Sequence, residues 1–135
     1  MFEIEFHEDS GGNSDLAAFI SQLCEKSKTT KDARIVFTKI VAYLNILQEK
    51  GTAAGMPILR HIQDGIWELR PVSYRILFAK VEPNRFVLLH HFRKTTKRTP
   101  RNEIEKAKRE LADYMRRKEN EDLERLQKGT EHNRR

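Results

Sequence analysis

The spacing of apolar residues shifts between two and about 3.6 along this chain, and each shift marks a change of element. Phe2, Ile4 and Phe6 alternate with Glu3, Glu5 and His7, which predicts a half-buried strand over residues 2–7. A polar, Gly-rich loop follows, and then the period lengthens. Leu16, Phe19, Ile20 and Leu23 fall on one side of a helix that Ser14 or Asp15 can cap. Lys28 to Lys31 interrupts that stripe. Thr30 or Asp32 starts a second helix with Ala33, Val36, Phe37, Ile40, Val41, Leu44 and Leu47 on one face. Gly51 ends it, as a glycine just past a helix commonly does. The two helices read as a hairpin folded onto a sheet. Their stripes are mainly core, with part of the surface open to a partner helix.

From Ile66 the period returns to two. IWELR, YRILFAKV and RFVLLHHF are rich in residues that suit a pleated, half-buried surface. Pro71-Val72-Ser73 and Glu82-Pro83-Asn84 separate them with turn chemistry, so the stretch reads as an antiparallel three-strand meander. ILRHIQDG before it is expected to be a connection closed by an Asp64-Gly65 turn. Thr99-Pro100 is expected to cap a third helix docked through Ile104, Ala107, Leu111, Tyr114 and Met115. Beyond Met115 only Leu123 and Leu126 are apolar, which predicts a few exposed helical turns and then fraying. The expected fold class is α+β: strand, helical hairpin, small mainly antiparallel sheet and C-terminal helix. Residues 1–115 form the folded domain and 116–135 a charged, partly disordered extension.

Charge sharpens this picture. The chain carries a formal +6, yet residues 60–101 alone hold ten Lys/Arg against three acids. The positive field therefore belongs to the meander and the turn after it, which suits a polyanion such as nucleic acid. No apolar run approaches the roughly 18 residues that would span a bilayer. The single cysteine, Cys24, excludes an internal disulfide and a zinc cluster, and reads as a core residue. A cytoplasmic location without membrane attachment is expected.

Strand parity decides which charges can cooperate. Trp67 and Leu69 share one face, Glu68 and Arg70 the other. If the first hairpin closes around residues 71–74, Arg70 and Arg75 lie nearly opposite and face the same way. Such a pair is either two independent solvated arginines or a grip on an anion between them. On the last strand, strict alternation puts Phe86, Leu88, His90 and Phe92 on one face and Val87, Leu89 and His91 on the other. Lone histidines are more often structural than catalytic, but one of these would sit beside Arg93, Lys94, Lys97 and Arg98 and could titrate near neutrality. Crowded ammonium groups also disfavour one another's charging, so a lysine there could move protons without a histidine. Proton transfer plus a fixed cation is what RNA cleavage by 2′-hydroxyl attack requires. Arg60, Lys80, Arg93, Arg98 and Arg101 are the further RNA-binding candidates, and no metal or cofactor is expected.

At these residues the chain resembles the RelE/ParE toxin superfamily, in its phage-derived HigB-like branch. The resemblance lies in Asp64 to Arg70 (DGIWELR), Tyr74 to Phe78 (YRILF), Val87 to Phe92 (VLLHHF), Lys94 to Pro100 (KTTKRTP) and Glu103-Ile104. It covers about residues 1–115. The resemblance implies a type II toxin–antitoxin toxin that cleaves mRNA on the ribosome without a metal. It further implies inhibition by a cognate antitoxin, a helix-turn-helix protein of HigA type, whose complex would be the only link to DNA. Carried over, Arg70 and Arg75 match strand arginines, while His91, Lys94 and Lys97 match the basic end of the meander. Two departures stand out: His91 replaces a usually small residue, and no tyrosine follows the histidine pair. The alternatives are a ParE-like gyrase poison and a non-catalytic phage RNA-binding or regulatory module.

Overall fold

The computed structural model describes the backbone of residues 1–133 and side chains through residue 129. The elements run β1 (Glu3–Phe6), α1 (Asp15–Lys26), α2 (Lys31–Lys50), β2 (Leu59–Gln63), β3 (Ile66–Leu69), β4 (Tyr74–Glu82), β5 (Arg85–Arg93) and α3 (Arg101–Asn133). The strands form one sheet in the order β1-β5-β4-β3-β2, with β1 parallel to β5 and every other pair antiparallel. This is the expected α+β class, with one strand more in the meander. The Asp64-Gly65 turn has positive φ at both residues, 49° and 79°, the geometry that closes a two-residue hairpin. It joins β2 to β3, so the segment expected to be a connection is itself an edge strand. Its weak signal has a cause, because Leu59 is the one β2 residue that is fully buried.

Two layers cover the sheet. On one face Leu16, Leu23, Ile40 and Leu47 of α1 and α2 pack on Leu59, Leu69, Ile76, Phe78, Phe86 and Leu88. On the other face Ala107 and Tyr114 of α3 pack on Ile66, Leu77, Ala79, Val87 and Leu89. Ser14 caps α1 by accepting from the Ala17 amide at 3.1 Å. Gly51 follows α2 at φ 60°, and a Cβ there would lie 2.7 Å from the Phe2 ring.

Three expectations change. Met115, assigned to the docking face of α3, is 46% exposed. Thr99 does not cap α3: the Pro100 carbonyl accepts from the Glu103 and Ile104 amides, while the Thr99 hydroxyl turns to Glu68. The extension expected to fray after a few turns stays helical through Asn133, and its last two residues lie outside the described part.

Parity on β5 is also corrected. The register steps from Leu77↔His90 to Phe78↔Leu88, which leaves Leu89 as a bulge. Leu89 and His90 consequently both face α3, and every residue after them changes side. His90 and Phe92 join Val87 on the α3 face, and His91 joins Leu88 on the α1 face.

Candidate nucleic-acid site at the end of the sheet

Leu69 pairs with Ile76, so continuing that register sets Arg70 against Arg75, as parity required. An anion does lie among them, and the chain supplies it. Glu68 is 1% exposed, and its Oε2 accepts from Arg60 Nε at 2.9 Å and from Arg70 Nη1 at 3.0 Å. Its Oε1 accepts from the Thr99 hydroxyl at 2.7 Å and lies 4.0 Å from Arg75 Nε. A carboxylate this buried persists only when its charge and lone pairs are met, and here three guanidinium groups and a hydroxyl meet them.

The arginines differ in what they leave free. The Arg75 side chain is 6% exposed and donates from Nη1 to the carbonyls of Val72 and Tyr74, at 3.1 and 2.6 Å. Burial and then the neighbouring Arg70 charge lower its pKa from the ordinary arginine range. It stays a cation, but one committed to holding the 71–74 turn. Arg60 and Arg70 are 37% and 17% exposed, so their outer faces reach solvent.

The loop after β5 closes over this group. Its start is set by the Lys94 amide, which donates to the Ser73 carbonyl at 2.7 Å. Its end is set by Thr99 on Glu68. A narrow crevice is lined by Arg60, Glu68 and Arg75 from the sheet and by Lys94, Lys97 and Arg98 from the loop. Those three loop side chains are exposed and, among the described residues, form no salt bridge. Five solvent-reaching cations thus share one end of the sheet over a buried carboxylate. A polyanion backbone meeting this surface finds two of these charges, Arg60 and Arg70, already held in place by Glu68.

Other candidates lie elsewhere. His91 sits on the opposite face, its ring stacked on Phe19 at 4.0 Å and its Nδ1 buried without a partner. Burial, more than the adjacent His90, holds its pKa below 6.5. His90 is enclosed under α3, with Nδ1 facing Glu110 and Nε2 facing Glu103. Lys80 lies over the Phe2 ring and pairs in register with Phe86, five residues or roughly 16 Å along β4 from Arg75. Arg93 opens toward the helical hairpin, and Arg101 is exposed at the start of α3. Glu68 and Thr99 are the residues that sequence reasoning missed. Glu68 was visible as the acid that shares its face with Arg70. Among the described residues, no three His, Cys, Asp or Glu side chains are grouped to hold a metal ion, and no helix is long and apolar enough to cross a membrane.

The model of the family described as "Phage derived protein Gp49-like (DUF891)" matches residues 27–112, a span that contains the whole cation cluster. No curated protein matches the chain. Among solved structures, the YoeB-YefM complex from Staphylococcus aureus matches with 14% identity and a TM-score of 0.44, over 71% of this chain and 99% of that one.

Proposed function

The chain belongs to the phage-derived Gp49-like family, and from that premise we propose that it is the toxin of a type II toxin–antitoxin system, a cytoplasmic endoribonuclease of HigB-like type that cuts mRNA on the ribosome. The observation that carries this reading is the convergence of Arg60, Arg70, Lys94, Lys97 and Arg98 at one end of the sheet. In the reaction the substrate's own 2′-oxygen attacks phosphorus and the P–O5′ bond breaks, leaving a 2′,3′-cyclic phosphate and a 5′-hydroxyl. Of Lys94 and Lys97, one as the neutral amine takes the proton from the 2′-hydroxyl and the other as the ammonium gives one to the departing 5′-oxygen, each such transfer contributing roughly 10²–10⁴-fold. Arg70 and Arg60 meet the charge that grows on the phosphoryl oxygens, a contribution of similar size. Arg98 holds a flanking phosphate. Arg75, enclosed by its carbonyl partners, and Glu68 act through the other two arginines by fixing where they stand.

In this reading His91, whose ring stacks on Phe19 of α1, is left out of the chemistry. A HigA-like antitoxin carrying a helix-turn-helix is the expected inhibitor, and links the pair to DNA indirectly.

The test is to map transcript 5′ ends after brief induction of the chain alone, with translation running and with it blocked. New 5′-hydroxyl ends inside coding regions, lost when translation stops, are expected alongside growth arrest. Arrest with intact transcripts and a DNA-damage response would point instead to a gyrase poison. Tight RNA binding without cyclic phosphate ends would point to a non-catalytic RNA-binding module.

A further inference from the structure

On the helical side of the molecule a groove of about 530 Å³ runs between the start of α2 and the 71–74 turn. Leu23, Ala33, Val36 and Tyr74 form its apolar floor. Its rims are Ile35 and Val72, each 47% exposed. On the other side of Ile35 lies a separate depression of about 370 Å³ along the outer side of α2, beside Arg34, Lys39 and Ala42. From Ile35 to Ala42 the helix rises roughly 10 Å, the length of about two helical turns of a partner.

Val72 is displayed at a cost. Its φ is +54°, which a β-branched residue rarely adopts. The Arg75 bond to its carbonyl and the Tyr74 amide bond to Pro71 hold the turn in that form, with the valine side chain directed outward. Neither the core nor the cation cluster gains from that side chain.

Charge selects the occupant. Among the side chains lining the two depressions, Arg34, Lys39 and Arg93 are cationic and Asp32 alone is acidic. The positive end of α2 opens into the same groove, because the Thr30 hydroxyl donates to the Lys26 carbonyl and caps no amide of its own helix. An apolar floor with a cationic rim fits a helix with an apolar stripe and acidic flanks. A nucleic acid would leave Ile35 and Val72 unburied, and a second copy of this chain would set the same cations against one another.

We propose that this groove docks an acidic amphipathic helix of a separate protein. The occupant lies next to the loop that carries Lys94, since Ser73, which lines the groove, also accepts from the Lys94 amide through its carbonyl. The toxin reading enters only in naming the antitoxin as the source of that helix. The docking itself does not depend on it.

The experiment titrates the full chain with two synthetic helical peptides that share a leucine stripe, one with glutamates on the remaining positions and one with lysines. Amide shifts and fluorescence anisotropy are followed. The glutamate peptide is expected to shift the amides of residues 30–42, 72–74 and 93, and the lysine twin to leave them unmoved. Ile35→Asp should weaken binding about tenfold or more by removing a buried anchor. Val72→Gly should weaken binding while raising the thermal midpoint, a pairing that general damage to the fold does not produce. Equal binding of both peptides, no shift in the groove, self-association through Ile35 seen by sedimentation, or an RNA oligonucleotide shifting the amides of residues 30–42 would each overturn the proposal. Transcript cleavage by Ile35→Asp should remain at the wild-type level. Absence of cleavage in the wild type would sink the nuclease reading alone.

Discussion

At the scale of single residues, the cation cluster is tied together by one enclosed carboxylate. Glu68 joins Arg60, Arg70 and Thr99 through bonds of 2.9, 3.0 and 2.7 Å while almost wholly buried. Glu68→Ala would leave three guanidinium groups facing one another without a counter-ion, and is expected to cost about 3–5 kcal/mol, read from urea denaturation. Glu68→Gln, which keeps the shape and part of the hydrogen bonding, should cost less. His91 makes a second residue-scale prediction. Burial holds its pKa below 6.5, so the folded state disfavours the protonated ring. The corresponding stability is full above pH 6.5 and is lost as pH falls from there through the lowered folded value. His91→Phe, which keeps the stack on Phe19, should flatten that part of the urea midpoint against pH; an unchanged slope would show that the loss arises elsewhere. Residue pairings were legible where alternation held, as for Arg70 and Arg75. The part played by Glu68 was not, because burial and partner identity depend on β2 and on the loop that ends at Thr99.

Elements were more readable than their joints. Capping by Ser14, the stop at Gly51 and the turns at 71–73 and 82–84 all follow from local chemistry that survives folding. The Leu89 bulge leaves no mark in the sequence, since VLLHHF alternates equally well in either register, yet it carries His91 away from the cations and His90 beneath α3. There Glu110 serves both histidines, meeting His90 Nδ1 with one oxygen and lying 3.6 Å from His7 Nδ1 with the other. Glu110→Ala should therefore cost about 1–3 kcal/mol in urea denaturation, through the buried donors it leaves unmet. The 71–74 turn behaves in the opposite sense. Replacing Val72 by glycine removes the strain of φ +54° from a half-exposed side chain, and should stabilise the fold by about 1 kcal/mol in a thermal melt.

For the whole molecule, six of the ten cations counted between residues 60 and 101, Arg60, Arg70, Arg75, Lys94, Lys97 and Arg98, are gathered at one end of a sheet, while Lys80, Arg85 and Arg93 lie elsewhere. Counting found the segment, and only the packing of β2, β3, β4 and the following loop gathered the charges together. Stand-alone RNA binding through three or four phosphate contacts should weaken with salt at a logarithmic slope of about −2 to −3. The exposed end of α3 takes little part in this. Ending the chain after Lys118 keeps the Arg117 bonds to the carbonyls of Glu8 and Asp9, and should move stability by less than about 1 kcal/mol. The central claim is that Arg70 and Lys94, brought together from two elements, break RNA. It is tested by inducing Arg70→Ala/Lys94→Ala beside the wild type, with soluble level and circular dichroism matched, and counting new 5′-hydroxyl transcript ends. The account predicts that the variant is folded, harmless to growth and silent in cleavage; ends appearing at the wild-type rate would contradict it.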